Sequence, residues 1–329
     1  MRKIIWSLSF TVISLGNPGL PDTQAQPLQN MFYCHSSGDI YQVWPLGTRG
    51  FIGHLVADSH NYLVLFSPER LATDTLEIGD NTYRFLQSLI VINDSTLQFN
   101  TLNHNVTCVI QNGRTWQVVR QVERQAFGQE IPLRCGHYFR LGEVELWLTC
   151  ASRSNKAVTA AGLYRKGEQT GYMYNLTLPQ YKPGKAYMGS SLIEAGIMPD
   201  NLRGLVYISL ENAGRFVVFN KQSLKSTVYT FPAVNYTEES WRLFFDYRQD
   251  RLYAVKFRKK GAHTLYRLNK NYEPVPIKEV AHNVENITDG YMHVSATGKD
   301  KTLCHYLIPI YRDNSPVELL EDVQIQKHR

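Results

Sequence analysis

The sequence is poor in charged residues and shows few of the patterns that predict long helices. Asp, Glu, Lys and Arg together make up 19% of its 329 residues, whereas it contains 20 Tyr and 14 Phe. Aromatic side chains are enriched in β-strands. This composition and the shortage of helical periodicity together predict a mainly β protein.

The sequence also lacks the short motifs of several enzyme classes. It contains no G-x-S-x-G motif, no phosphate-binding glycine loop, no H-E-x-x-H and no C-x-x-C. Such motifs position a serine nucleophile, a phosphate group or a metal ion through their spacing. We therefore expect no metal site and no cofactor.

Long apolar runs are missing beyond the N-terminus. The run over residues 4–15 follows Arg2 and Lys3 and precedes small residues and prolines, which is the layout of a secretory signal. A membrane-spanning helix needs about 20 apolar residues, so this run is too short for an anchor. We assign residues 1–25 to a signal peptide and expect a secreted protein that does not contact a membrane.

Five cysteines in an exported chain predict two disulfides and one free thiol. Cys34 could pair with Cys108, and Cys135 or Cys150 with Cys304, but the spacing leaves the connectivity open.

The formal net charge of +6 permits an anionic partner without demanding one. Asn-X-Ser/Thr sequons make five residues candidates for glycosylation: Asn93, Asn105, Asn175, Asn235 and Asn286.

Alternating and aromatic-rich segments predict many short strands, such as DIYQVW, YLVLF, GLVYISL and RLYAVKF. SPERLATDTLE and KAVTAAGLYRK are the best helix candidates. The fold class that follows is α+β, mainly antiparallel β. A polar segment at residues 125–130 is predicted to be a linker between an N-terminal domain (residues 26–124) and a C-terminal domain (residues 131–329).

The two halves share a weak repeat. Each contains a strand, a loop, an Asp-Asn pair, an arginine and then two strands joined by a turn, with Arg84 in the first copy and Arg203 in the second. This order predicts that the N-terminal half could be a degenerate copy of the C-terminal unit.

Residues 171–219 carry a resemblance to a known family. The segment GKAYMGS at residues 184–190 precedes PDNLR at residues 199–203, and Phe32-Tyr33-Cys34 follows the signal region. In these features the chain resembles the ribonuclease-like effectors that powdery-mildew fungi secrete, which share the scaffold of fungal guanyl-specific ribonucleases. The resemblance implies a ribonuclease-like antiparallel sheet with a short helix.

The same resemblance implies a site without catalysis. Family members need a carboxylate base, a cation for the phosphorane and a histidine acid. Asn175 stands after the strand residue Tyr174, where the base belongs, and the histidine expected near residues 218–220 is absent. Arg203 occupies the position of the phosphate-binding arginine. It could bind phosphate, or it could pair with Asp200 and only fix the loop.

One basic cluster lies outside this segment. Arg258, Lys259 and Lys260 form the tip of a predicted hairpin, and aromatic residues including Tyr266 lie on its arms. Cations beside exposed aromatics suit contact with RNA, although lysine-rich tips are also ordinary solvated turns. We count Arg203, Tyr174, these three tip residues and Tyr266 as candidates for phosphate or RNA binding.

The leading hypothesis is a secreted, catalytically inactive ribonuclease-like effector that binds a host protein or host RNA and acts in virulence, around or inside a host cell. An active secreted ribonuclease or other hydrolase is the second hypothesis. The third is an extracellular β-propeller or lectin-like binding protein, since LFFDYRQDRLYAV resembles the strands of a propeller blade. Blades repeat at roughly 40–50 residues, and no such period is evident in the sequence.

Overall fold

The computed structural model describes residues 31–311, apart from the segments 37–39, 47–49, 58–59, 67–71, 81–87, 102–103, 124–136, 153–157, 179–194, 233–237 and 298–301. The expected signal peptide (residues 1–25) and linker (residues 125–130) lie outside the described residues.

Within these residues, 24 strands form six antiparallel sheets of four strands each, which we call blades 1 to 6 in chain order. Blade 1 contains β2 (Ile40–Pro45), β3 (Phe51–Ala57), β4 (His60–Phe66) and β5 (Ala72–Asp80). Blade 2 contains β6 (Ser88–Val91), β7 (Thr96–Asn100), β8 (His104–Gln111) and β9 (Thr115–Glu123). Blade 3 contains β10 (His137–Leu141), β11 (Val144–Ser152), β12 (Val158–Lys166) and β13 (Gln169–Leu178).

Blade 4 contains β14 (Ala195–Asp200), β15 (Leu205–Leu210), β16 (Arg215–Asn220) and β17 (Ser226–Thr230). Blade 5 contains β18 (Glu239–Asp246), β19 (Arg251–Arg258), β20 (His263–Leu268) and β21 (Pro274–Val280). Blade 6 contains β22 (Asn283–Thr288), β23 (Tyr291–Thr297), β24 (Thr302–Pro309) and, as its fourth strand, β1 (Met31–Ser36).

The blades are arranged in a ring, and the first strand of each blade is its innermost strand. First strands contact one another between blades, as β14 does with β18, β18 with β22, and β22 with β2. Apolar cores fill the spaces between blades 1 and 2, 4 and 5, and 5 and 6, and one core joins blades 2, 3 and 4. This is a six-bladed β-propeller, and the N-terminal strand completes its last blade.

Burial falls from the inner to the outer strands, which explains the composition of each. The second strands β15 and β19 are almost continuously buried because blades cover both of their faces. The fourth strands β17 and β21 are exposed or half-buried at every position except Val280, and even the apolar side chains of Val228 and Val275 are exposed there. The alternating pattern typical of a half-buried strand is therefore found in only part of each blade.

The helix candidate KAVTAAGLYRK is instead strand β12. Gly162 leaves room for an aromatic ring from β13, since a Cβ atom there would lie 2.3 Å from the Tyr174 ring. Conversely, Gly171 on β13 leaves room for Tyr164 of β12, whose hydroxyl would lie 2.6 Å from a Cβ atom at position 171. Alanine and glycine here serve packing rather than helix formation. The other helix candidate overlaps β5, and the one helix among the described residues is the 3-10 turn Glu211–Ala213.

The expected α+β ribonuclease-like fold is wrong. The pattern of strand, Asp-Asn, arginine and strand that suggested it is the first hairpin of blade 4, and such hairpins recur in every blade. The apparent duplication of two halves is a sixfold repeat, while the propeller alternative is confirmed. Among the described residues, no helix could cross a bilayer.

Side-chain amides extend the hydrogen bonding from one blade to the next. Gln98, which is 4% exposed, donates its amide to the carbonyl oxygen of Arg140 (2.6 Å) and accepts the backbone N–H of the same residue (3.2 Å). The side-chain amide of Gln98 in blade 2 therefore pairs with the backbone of Arg140 in blade 3, as the backbone of a neighbouring strand would. Asn105 donates similarly to the carbonyl oxygen of Tyr138, at 3.0 Å.

We expect Gln98→Leu to lower the free energy of unfolding by about 2–3 kcal/mol, because it leaves a backbone N–H and a carbonyl of Arg140 without partners. Urea denaturation followed by tryptophan fluorescence measures this loss. The matched control is Gln111→Leu on the neighbouring strand, where the side chain is exposed and the change should stay within about 0.5 kcal/mol. Equal losses in both variants would contradict the role of Gln98.

Candidate functional site

The turns between the first and second strands meet at one end of the propeller axis. Three of them begin with an Asn or Asp whose side-chain oxygen accepts backbone N–H groups two or three residues later: Asn93, Asp200 and Asp246. These side chains satisfy the turn's own donors and hold the tips in fixed conformations. The charged residues on the tips are thereby brought together.

We define the axial cluster as Asp94, Arg203, Arg248, Asp250 and Asp289. Arg248 of blade 5 donates Nε and Nη2 to the carboxylate of Asp94 in blade 2 at 2.9 and 2.8 Å, and Nη1 to Asp289 of blade 6 at 3.2 Å. Blades 2 and 5 lie opposite each other in a ring of six. This bidentate pair therefore joins the two sides of the ring across its axis.

Tyr247 and Arg248 both bind the same carboxylate. The hydroxyl of Tyr247 donates to Asp94 Oδ1 at 2.8 Å. The hydrogen bonds to Asp94 raise the pKa of Arg248 above its already high ordinary value, against the opposing effect of partial burial. The guanidinium is therefore charged at every physiological pH.

Arg203 belongs to a second group of pairs in the axial cluster. Its guanidinium donates to Asp200 Oδ2 (2.8 Å), to the hydroxyl of Tyr207 (3.3 Å) and to Asp250 of blade 5. Burial acts to lower the pKa of Arg203, but the hydrogen bond to Tyr207 and the two carboxylates outweigh it and raise the pKa. The geometry favours the structural role of Arg203, since its donors are engaged by residues of the protein.

Asp246 links the first turns of blades 5 and 6 beneath the axial cluster. Its side chain is fully buried, and its Oδ2 accepts the backbone N–H of Gly290 at 2.6 Å. Gly290 has a φ of 77°, and a Cβ there would lie 2.2 Å from the Gln249 amide. A larger residue would thus displace the Gln249 amide and strain the turn.

A small cavity of about 200 Å³ opens beside the axial cluster, between blades 5 and 6. Its walls are formed by Gln249, Arg251, Gly290, Tyr291, Pro309 and Tyr311. The guanidinium of Arg251 lies 5.6 Å from the centre of the Tyr311 ring, so a cation–π contact already uses this charge. The axial cluster and this cation–π contact each join different blades.

The other residues predicted to bind phosphate or RNA lie elsewhere. Tyr174 is 4% exposed and packs over Gly162, so it presents no face to a base. Tyr266 packs against Trp241 with ring centres 4.9 Å apart. Arg258 pairs with Glu279 at 3.2 Å and donates to the carbonyl of Ala262.

Lys259 and Lys260 are exposed at the turn between the second and third strands of blade 5. Successive turns of an antiparallel meander alternate between its two ends, so this tip lies at the end opposite the axial cluster. Arg203 and the basic tip therefore do not form one site. The aromatic residues on the arms, Tyr253 and Phe257, are buried in the core.

The expected ribonuclease-like cleft is absent from the described residues. Asn175 is exposed on the outer strand of blade 3, whereas Arg203 lies on the first turn of blade 4. The loop at residues 184–190, which completed the resemblance, lies outside the described residues, as do Arg84, Cys135 and Asn235. The ribonuclease-like and pseudoenzyme interpretations are therefore wrong.

The candidate cysteines and sequons occupy different environments. Cys108 is buried on β8 as a free thiol, so the expected pairing with Cys34 is not formed. Asn105 is 1% exposed and commits its amide nitrogen to Tyr138, which blocks a glycan in the folded protein. Asn93 and Asn175 are exposed, and Asn286 is half-buried.

Two buried histidines form a pair inside blade 6. His293 Nε2 and His305 Nδ1 lie 2.9 Å apart, and the side chains are 0% and 4% exposed. Burial first, and then the neighbouring His305, lower the pKa of His293 well below 6.5. In this contact one ring donates a hydrogen bond and the other accepts it. Within the described part of the chain, no group of three or more His, Cys, Asp or Glu is placed to hold a metal ion.

Sequence reasoning missed Asp94, Tyr247, Arg248 and Asp289. A local signal was present, because an Asn or Asp stands at or next to the turn between two apolar segments in VINDSTLQF, FFDYRQDRLYAV and ITDGYMHV. Aligning these short hairpins would have predicted equivalent turns at one end of a ring. The partners themselves follow only from the closed geometry.

A double-mutant cycle on Asp94→Ala and Arg248→Ala should give a coupling free energy of about 1 kcal/mol, since the pair is bidentate but Asp94 is half exposed. Chemical denaturation of the four proteins measures it. The control cycle uses Arg258 and Glu279, which make a single contact within blade 5, and should give about 0.3 kcal/mol. A coupling free energy near zero for Asp94 and Arg248 would show that this ion pair does not stabilise the ring.

Stability should fall as the pH drops from 7 to 5.5. The unfolded chain protonates His293 near pH 6.5, but the folded protein does so only at lower pH, so the unfolded state binds more protons in this window. His293→Gln removes this proton and should reduce the slope of unfolding free energy against pH by up to about 1.4 kcal/mol per unit. An unchanged slope, measured by denaturation at several pH values, would contradict the lowered pKa of His293.

No protein-family model matches the sequence, and no curated protein matches it. Among solved structures, a member of the DUF4221 family from Bacteroides vulgatus is similar, with a TM-score of 0.52 and 8% identity over 85% of this chain and 94% of that chain. A luciferin-regenerating enzyme gives a TM-score of 0.45 at 8% identity, over 86% of this chain and 93% of its own. The WD40 domain of SCAP from fission yeast gives 0.37 at 12% identity, over 88% of this chain and 71% of its own.

The fold alone does not decide whether the chain is an enzyme. With the resemblance to ribonuclease-like effectors overturned, the assignment to a fungal pathogen and to a host partner loses its support. At 8% identity the likeness to solved structures shows the fold alone, and that fold is a six-bladed β-propeller.

Proposed function

We propose that the chain is an exported, non-catalytic propeller that binds an acidic protein partner at the end of the ring opposite the axial cluster. The observation that carries this proposal is the exposed pair Lys259 and Lys260 on a rigid hairpin tip. The layout of residues 1–25 supports export. The sequence's overall excess of positive charge supports an anionic partner.

The tip is held in place by its own hydrogen bonds. The backbone N–H of Lys259 donates to the carbonyl of Glu238 at 2.9 Å, and Arg258 Nη1 donates to the carbonyl of Ala262 at 2.9 Å. Gly261 allows the turn with a φ of 85°. A partner would therefore meet two lysines on a backbone that needs little ordering on binding.

The two lysines differ from the other cations at this end of blade 5. Arg242 pairs with Glu211, and Lys256 pairs with Glu239 at 2.8 Å. Among the described residues, neither Lys259 nor Lys260 has an ion-pair partner. They are available to carboxylates on another molecule, as charges at the rim of interfaces generally are.

A protein partner fits this tip better than RNA. Binding of single-stranded RNA uses aromatic side chains on which bases stack, and here Tyr253 and Phe257 are buried while Tyr266 packs on Trp241. Without a stacking surface the tip offers point charges only. Such charges increase the association rate and the salt dependence of binding to an acidic surface.

The test measures binding of the full chain to poly-L-glutamate and to polyuridylate RNA at low salt. The double variant Lys259→Glu, Lys260→Glu should weaken poly-L-glutamate binding about tenfold or more, because it reverses two charges at the contact. Lys270→Glu, at an exposed turn on the opposite end of the same blade, is the matched control and should stay within about twofold of wild type.

Loss of binding in the Lys270 variant but not in the double variant would overturn the proposed surface. Tighter binding to polyuridylate than to poly-L-glutamate, abolished by the same double variant, would replace the protein partner with RNA.

A further inference from the structure

The ring is closed by strands from the two ends of the described chain. β1 pairs with β24 in antiparallel register, with Cys34 opposite Cys304, His35 opposite Leu303 and Ser36 opposite Thr302. These pairs follow one another without a shift, since the irregularity in this ladder lies earlier, between Met31 and Tyr33. The two cysteines therefore occupy a single, well-defined register position.

Residues directly opposite each other in an antiparallel ladder share one face of the sheet. Their Cα atoms are about 4.5 or 5.5 Å apart, depending on the type of pair. A disulfide requires a Cα separation of about 4.4–6.8 Å. The backbone at Cys34 and Cys304 thus satisfies the distance condition for a disulfide in either type of pair.

We propose that Cys34 and Cys304 form a disulfide that locks the propeller ring. The inference is independent of the proposed binding function, because it concerns only the closing strand. It also assigns a connectivity that the spacing of the five cysteines left open.

The other described cysteines are placed differently. Cys108 is buried on β8 in blade 2, and burial raises the pKa of its thiol to about 12, so little thiolate is available. Cys150 lies on β11 opposite Ala160. Cys34 and Cys304 are therefore the only cysteines that face each other in register among the described strands.

Formation of the bond needs a disulfide oxidant, such as oxidised glutathione. The thiolate of one cysteine attacks glutathione disulfide, which forms a mixed disulfide and releases one reduced glutathione. The second thiolate then attacks the protein sulfur of the mixed disulfide and releases the second glutathione. Two electrons and two protons pass from the cysteine pair to glutathione, and the exchange is balanced.

The bond would change how the ring opens. Without it, β1 is held on blade 6 through its backbone ladder to β24. With it, β1 cannot leave β24 unless a covalent bond is reduced. Because Cys34 and Cys304 lie near opposite ends of the described chain, the cross-link closes a very long loop, the case in which a disulfide restricts the unfolded chain most.

The direct test equilibrates the purified full chain in a glutathione redox buffer, blocks free thiols and maps peptides by mass spectrometry without reduction. The expected result is one cross-linked peptide pair that contains Cys34 and Cys304, with Cys108 labelled only after denaturation. Cys34 joined to Cys108, Cys304 joined to Cys135 or Cys150, or free Cys34 and Cys304 would each overturn the proposal. This arm needs no variant, so a folding defect cannot obscure it.

A second arm measures thermal unfolding with and without reductant. Reduction should lower the unfolding midpoint of the wild type by about 5–10 °C. Cys34→Ser and Cys304→Ser should each unfold near the reduced wild-type midpoint and respond little to reductant. Cys108→Ala is the matched control and should keep the full response. A wild type whose midpoint ignores reductant would contradict the proposed cross-link.

Discussion

A ring of sheets is stable only when every sheet packs on two neighbours, because each inner strand has two apolar faces to bury. The apolar cores of this protein accordingly lie between blades. Burial of this surface is the main favourable contribution to folding. It also requires that the last blade meet the first, and the pairing of β1 with β24 places both ends of the described chain in that last blade.

Polar interactions in this molecule mostly select an arrangement rather than supply the bulk of the stability. Gln98 and Asp246 give partners to backbone groups at blade boundaries, where a dry apolar contact would leave them unsatisfied. The Arg248–Asp94 pair acts between opposite blades and so opposes any change in the shape of the ring. One end of the axis is thereby occupied by bonds within the protein, and the proposed binding surface is assigned to the other.

The sequence predicted local features well and the architecture poorly. The dipeptide Asn112-Gly113 is typical of a hairpin turn, and both residues have the positive φ that such a turn requires. Strand β12 was predicted as a helix, since the tyrosine ring that fills the space over Gly162 belongs to the next strand. The pairing of Asp94 with Arg248 depends on six blades fitting together, which no local pattern contains. Because the blades share no common sequence motif, the sixfold repeat was not evident from the sequence. A hairpin that occurs in many folds was interpreted as the core of a ribonuclease.

The position of β1 has a consequence for how the chain reaches its native state. β1 lies at the start of the described chain and its partner β24 lies at the end, so among the described strands β1 is translated first and β24 last. Such a non-local contact is slow to form. Until its partner strand has been synthesised, an unpaired strand edge is also prone to associate with other chains. The nascent polypeptide must therefore keep its first strand unengaged until translation of the propeller is nearly finished, and a cell that exports it in an extended state would meet that requirement.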